Sequence, residues 1–194
     1  MSKPLDVLLI TPPSRVQVYQ ELSRDFAAIE PPVWSGLIAT FLRQHSCSVA
    51  ILDAEAEGLN HQQTADRIAA IAPRLAVFVI YGQQPSASTQ CMPAGRKVCE
   101  ILTALADIPT LVMGTHPSAL PKRTLLEEPY TYVCQGEGPA TILGLVIALR
   151  APQHSLREVP GLWHMEKGVP VGNAPAQLLT NLDCEVPGQA WDLL

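Results

Sequence analysis

Short apolar runs, each followed by a stretch with helical spacing, constrain this chain more than any other feature. Asp6-Val7-Leu8-Leu9-Ile10-Thr11 and Leu75-Ala76-Val77-Phe78-Val79-Ile80 are almost unbroken. Side chains alternate between the two faces of a strand, so an unbroken run needs both faces covered. Central strands of a parallel sheet meet that condition. Further strands are expected at Cys47 to Leu52, Thr110 to Met113 and Tyr130 to Cys134. Between them, Val33, Leu37, Ile38, Phe41 and Leu42 repeat at helical spacing behind Pro31-Pro32. Helices are also expected from Gln62 to Ala72, from Ser88 to Leu105 with Pro93 near its start, and from Pro139 to Leu149. This order predicts an α/β fold, a three-layer Rossmann-like domain on a parallel five-stranded sheet with right-handed crossovers. A flavodoxin-like strand order, 2-1-3-4-5, puts the ligand crevice between the first and third strands.

After Arg150 the alternation stops. Leu162-Trp163-His164-Met165 and Val169-Pro170-Val171 flank the turn signal Glu166-Lys167-Gly168, as in a β-hairpin. Residues 173–194 are rich in Pro, Gly and Asn, have no clear period, and read as an extended arm. The expected division is therefore 1–150 for the domain and 151–194 for the hairpin and a linker. Roughly eighteen residues separate the first strand from Pro31-Pro32; a connection of that length is usually functional or mobile. It carries Arg15, Tyr19, Arg24 and Phe26.

The chain has 194 residues, 16% of them charged, with a net charge of −5 and no basic run. Phosphate binding needs clustered Lys and Arg, so nucleic acid is not expected as a partner. No stretch approaches the ~18 consecutive apolar residues of a membrane span. The N-terminus runs straight into a strand without a signal-peptide pattern, and a cytoplasmic location is expected. Cys47, Cys91, Cys99, Cys134 and Cys184 form no C-x-x-C pair, which disfavours a disulfide framework or a structural zinc site. Cys47 and Cys134 fall in strand runs and read as small buried hydrophobes.

Small, polar and Gly-bearing residues concentrate at the strand ends, the edge where an open α/β sheet binds its ligand. The candidate binding residues are Thr11, Pro12 and Pro13 after the first strand and Tyr81, Gly82, Gln83 and Gln84 after the third. Gly114, Thr115 and His116 follow the fourth strand; Gln135, Gly136, Glu137 and Gly138 follow the fifth. Glycine lets a backbone approach a bulky ligand closely, and the helix starting at Pro139 offers N–H groups at its N-terminus. Each loop also reads simply as a strand-to-helix turn. No G-x-G-x-x-G follows the first strand and no G-x-x-x-x-G-K-[ST] occurs, against a dinucleotide or Walker-type phosphate site. A G-x-S-x-G motif is missing too, against an α/β-hydrolase. His45, His61, His154 and His164 are scattered, and most of them read as surface residues.

Together these strand ends resemble the N-terminal cobalamin-binding domain of cobalamin-dependent radical S-adenosylmethionine (SAM) enzymes. The matching features are the run ending in Pro12-Pro13, the segment Pro31-Pro32-Val33-Trp34-Ser35-Gly36-Leu37, and Asp53 after the second strand. The most specific are Gly114-Thr115-His116-Pro117-Ser118-Ala119-Leu120-Pro121 and Tyr132-Val133-Cys134-Gln135-Gly136-Glu137-Gly138-Pro139-Ala140-Thr141. The resemblance covers about residues 5–150. The hairpin and arm also look like the passage toward a radical SAM domain, notably Val186-Pro187-Gly188 and Trp191-Asp192-Leu193-Leu194.

Two departures matter. The C-x-x-x-C-x-x-C of the radical domain is absent, so this chain cannot hold a [4Fe–4S] cluster in the family's way; the cluster and SAM belong only to a full-length enzyme, and this chain alone is not expected to be active. The D-x-H-x-x-G motif of histidine-ligated cobalamin carriers is also absent. The resemblance then implies base-off cobalamin without a histidine ligand, in a module of a methyltransferase or cyclase type of enzyme. Its partners would be the corrin cofactor and a radical SAM domain in cis or in trans. No residue of this chain is assigned as catalytic or metal-ligating. Two other readings stay open, a Rossmann-like small-molecule binding or regulatory domain without corrin and a stand-alone small-molecule transferase.

Overall fold

The computed structural model of the chain describes residues 4–23, 25, 27–81, 85–151 and 153–194, with the side chains of residues 85 and 86 set aside. The five expected strands form: β1 (Val7–Thr11), β2 (Val49–Asp53), β3 (Leu75–Val79), β4 (Thr110–Met113) and β5 (Tyr132–Cys134). They are parallel and lie in the order β2-β1-β3-β4-β5. The helices are α1 (Arg15–Tyr19), α2 (Val33–Gln44), α3 (His61–Ile71), α4 (Pro85–Leu105), α5 (Thr115–Ala119), α6 (Pro121–Glu127), α7 (Pro139–Arg150) and α8 (Leu182–Glu185).

The unbroken apolar runs are covered on both faces. Val7, Leu9, Leu75, Val77 and Val79 pack with Ile38, Phe41 and Leu42 of α2 and Ile142 and Leu145 of α7. Leu8, Ile10, Ala76, Phe78 and Ile80 pack on the opposite side with Ala65 and Ile68 of α3 and Val98 and Leu102 of α4. Every residue of β3 is buried, and each large side chain there contributes roughly 2 kcal/mol by leaving water. Asn60 starts α3 with a reciprocal capping box: its side chain accepts from the Gln63 N–H while the Gln63 side chain accepts from the Asn60 N–H.

Three expectations need correction. The hairpin is not an appendage: β6 (Leu162–Glu166) pairs antiparallel with β5, and β7 (Val169–Gly172) with β6, extending one sheet to seven strands. The exposed edge of β5 offers unpaired backbone groups, and the hairpin takes them up. Pro93 lies well inside α4, not near its start, so the helix tolerates one missing internal N–H. Cys47 precedes β2 rather than lying in it, though it is buried as expected, packed beneath α2. The connection after β1 holds α1 and a 3-10 turn at Gln20–Ser23, while Arg24 and Phe26 lie outside the described residues.

The amino-terminal edge of the sheet is closed by one buried carboxylate. Asp6 accepts from Arg150 Nε and Nη2 at 3.0 and 2.7 Å and from the Ser48 N–H and hydroxyl at 2.9 and 2.7 Å. Arg74 Nε lies 3.6 Å from it. This ties the start of β1 to the start of β2 and the end of α7.

Candidate functional site

The opposite, carboxyl-terminal edge is open. A cavity of about 630 Å³ lies there, on the α2/α7 side of the sheet. Trp34, Leu37 and Ile38 of α2 form one wall, Tyr81 and Gly114 the floor over the ends of β3 and β4, and Thr115, Ser118 and Ala119 of α5 one flank. Gly136, Glu137 and Pro139 close the α7 end, and Leu179, Leu182 and Val186 of the arm form the outer wall. The Trp34 and Tyr81 rings stack, with centroids 4.8 Å apart and 25° between planes. Burial, and after it nearby Cys134 and Glu137, pushes the Tyr81 phenol up to about 12, so it stays neutral. Buried Cys134 at the end of β5 is pushed up to about 11 and stays a thiol.

Among the residues expected from sequence, the fold brings Tyr81, Gly114, Thr115, Gly136 and Glu137 to this cavity. Thr11, Pro12 and Pro13 lie on the same edge but do not line it. Thr11 is engaged with β2, where its carbonyl accepts from the Ala54 N–H at 3.1 Å. The cavity is therefore displaced from the crevice between β1 and β3 toward β4 and β5. Gly82, Gln83 and Gln84 fall outside the described residues.

His116 faces the other side of the sheet. Its Nδ1 lies 2.9 Å from the Thr89 hydroxyl, and it lines a separate pocket between α4 and α6 with Arg96, Arg123 and Glu128. Burial, then Arg123, lowers its pKa, so the ring is neutral at pH 7. Gln135 is engaged with the hairpin, its side-chain oxygen accepting from the Trp163 indole N–H at 2.8 Å.

The glycines divide by cause. Gly114 has φ +146°, and a Cβ there would sit 1.9 Å from the Ile80 carbonyl oxygen. Its role is to let β4 end against β3, so the close approach expected toward a ligand is made to the protein's own backbone. Gly138 (φ +106°) would strike Met113. Gly136 shares the φ of Gly138, but a Cβ there meets no protein atom within 4 Å. Of these three, it alone leaves space at the cavity for something else. Its N–H donates to Ser118 Oγ at 2.9 Å, which joins the β5 loop to α5.

The sequence reading missed Trp34, Leu37, Ile38, Ser118, Ala119, Pro139, Leu179, Leu182 and Val186 as lining residues. A signal existed for α2: its apolar stripe continues from the core residues Ile38, Phe41 and Leu42 to Trp34, which remains half exposed. Nothing in the arm's irregular composition marked its leucines.

The sequence profile of the B12 binding domain matches residues 22–146. No curated protein matches the sequence. The fold is similar to TsrM from Kitasatospora setae, a radical SAM methyltransferase solved with cobalamin and a [4Fe–4S] cluster: 18% identity, TM-score 0.68, covering 92% of this chain and 30% of that one. It is also similar to OxsB, a cobalamin-dependent SAM radical enzyme solved with aqua-cobalamin and SAM: 18% identity, TM-score 0.72, covering 98% of this chain and 25% of that one. This chain thus spans a minor part of either enzyme, and the likeness extends past the profile match into the hairpin and arm.

Proposed function

The chain belongs to the B12 binding domain family, and from that premise we propose that it is the cobalamin-holding module of a radical SAM enzyme of methyltransferase or cyclase type. One observation carries the assignment of the site: an apolar cavity at the carboxyl-terminal sheet edge, walled by stacked aromatic rings on one side and opening beside a glycine whose missing side chain nothing else fills.

Cobalamin has two parts with different demands. The corrin is broad and edged with amide groups; the nucleotide tail ends in a flat, methyl-bearing base. Trp34, Tyr81, Leu37 and Pro139 suit the flat base, because aromatic and aliphatic surface holds it without unpaired polar groups. Thr115 and Ser118 bring hydroxyls and Gly136 bare backbone to the rim where corrin amides need partners. Bound cobalamin supplies a cobalt centre able to carry a methyl or alkyl group, and the protein supplies position and surroundings. Among the described lining residues there is no histidine or cysteine, and the Tyr81 phenol stays protonated. This favours base-off binding without a histidine ligand, the tail being held in the cavity.

The iron–sulfur cluster and SAM would be held by a radical SAM domain, in cis as in the similar enzymes or in trans. No group of three His, Cys, Asp or Glu able to hold a metal occurs among the described residues. No helix among the described residues is long and apolar enough to cross a membrane. On this reading residues 1–150 supply most of the cofactor cavity, and residues 151–194 complete the sheet, close the cavity's outer wall with Leu179, Leu182 and Val186 and lead toward the partner domain; a cytoplasmic setting suits the reduced thiols.

Titration of the purified chain with hydroxocobalamin, followed by gel filtration with visible absorbance, tests the reading. About one corrin per chain is expected to co-elute. Failure of any corrin to co-elute at tens of micromolar rejects the proposal.

A further inference from the structure

The outer wall of the cavity lies beyond the segment that matches the family profile. Leu179, Leu182 and Val186 line the cavity from the arm, whereas the profile match ends at residue 146. The arm has no periodic pattern, yet it is held along its length. Glu137 Oε2 accepts from the Leu179 N–H at 2.9 Å. Gln44 Nε2 donates to the Cys184 carbonyl at 3.3 Å. The Ala190 N–H donates to the Gly36 carbonyl at 3.2 Å, and Arg43 grips Asp192 with both contacts under 3 Å, at 2.8 and 2.9 Å. The turn into α8 is fixed locally, because Glu185 Oε2 accepts from the Thr180 and Asn181 N–H groups at 3.0 and 2.8 Å. Helix α2 leaves room for the strap at Gly36, where a Cβ would come within 3.1 Å of Gln189 Cβ.

The strap thus contributes three aliphatic side chains to the cavity that the aromatic pair also lines. Leu182 and Trp34 remain 57% and 49% exposed. Apolar surface held facing a cavity and still wet gains most when a flat apolar group displaces that water.

We infer that Leu179, Leu182 and Val186 are specificity-determining residues for the nucleotide tail of cobalamin, an inference that rests on the cobalamin reading above. Aliphatic side chains offer no partners to the corrin's amide edge but suit the flat base, so the arm sets the preference for cobalamin over the same corrinoid lacking its tail.

The test measures binding of hydroxocobalamin and of tail-less cobinamide to the full chain and to Leu182→Asp, Val186→Asp and Leu178→Asp. Leu178 is a neighbouring control, 66% exposed and outside the cavity lining. An unchanged melting temperature in each variant establishes that the fold is kept. Leu182→Asp and Val186→Asp are expected to weaken cobalamin about tenfold or more and to leave cobinamide within about twofold, with Leu178→Asp changing neither. Unchanged cobalamin affinity in Leu182→Asp and Val186→Asp, or equal weakening of both corrinoids, overturns this inference alone. Failure of the unaltered chain to bind cobalamin overturns the family-based reading as well.

Discussion

The two edges of this sheet are finished by opposite chemistry. At the amino-terminal edge a fully buried carboxylate is surrounded by donors: burial by itself would raise the Asp6 pKa, but hydrogen bonds from Arg150 and Ser48 hold it well below the usual carboxylate range. At the carboxyl-terminal edge burial acts largely unopposed, and Tyr81 and Cys134 are pushed up to about 12 and about 11. The lower edge satisfies its own polar groups and keeps the elements together. The upper edge keeps apolar surface half covered and the side chains of Tyr81 and Cys134 neutral, a setting that suits a flat apolar group. One edge should therefore govern stability and the other binding.

The strongest challenge to that division is Gly114, which stands at the binding edge but serves the fold. Gly114→Ala places a side chain against the Ile80 carbonyl in a backbone region open essentially to glycine. A loss of about 4 kcal/mol is expected, read by urea unfolding. Gly136→Ala, with open space around it, should cost only about 1 kcal/mol. Equal losses at the two positions would show that φ, not the clash, dominates.

Next comes the lower edge. Asp6→Ala strands the guanidinium of Arg150, which water partly reaches, and should cost about 3 kcal/mol while leaving corrinoid affinity unchanged. Because the folded pKa of Asp6 is depressed, its contribution is complete above the unfolded value of about 3.9 and is lost as pH falls through the folded value. Asp6→Asn should therefore flatten the acid limb of the stability curve below about pH 4. An unaltered acid limb would move the acid sensitivity elsewhere.

Trp34→Ala tests the upper edge alone. It should weaken hydroxocobalamin about tenfold and cost only about 1 kcal/mol of stability, since the ring is half exposed and what is lost is its stack on Tyr81. A large stability loss without a change in affinity would reverse the assignment. The smallest effect is expected from His116→Ala, whose ring lies against Thr89 in a different pocket. Affinity should stay within about twofold, and the Co(II) form should give the same electron paramagnetic resonance spectrum in both proteins. Loss of a nitrogen splitting in the variant would make His116 a cobalt ligand.

Much of this was legible in the residues. Leu75 to Ile80 read as a strand covered on both faces, and the regular alternation called for a parallel sheet, for which a flavodoxin-like order is the expectation and β2-β1-β3-β4-β5 is found. The loops of Tyr81, Gly114-Thr115 and Gly136-Glu137 were placed on one edge because every parallel strand ends there. What was not legible was which loop residues face one another. Gly114 and Gly136 read alike as ligand-loop glycines, yet one is filled by Ile80 and the other by nothing. His116 and Thr115 are adjacent in sequence but serve opposite faces of the sheet.

Sequence by itself marked the strands, the four longer helices α2, α3, α4 and α7, and the sheet edge on which the parallel strands end, because hydrophobic periodicity and chain handedness are local or topological constraints. Only the tertiary structure decided that β6 and β7 extend the same sheet, that the cavity lies beside α2 rather than in the β1/β3 crevice, and that the arm supplies its outer wall. Those outcomes depend on packing between segments far apart in the chain. Trp34 meets Tyr81, Glu137 meets Leu179, and Arg43 meets Asp192 through contacts that no local pattern encodes.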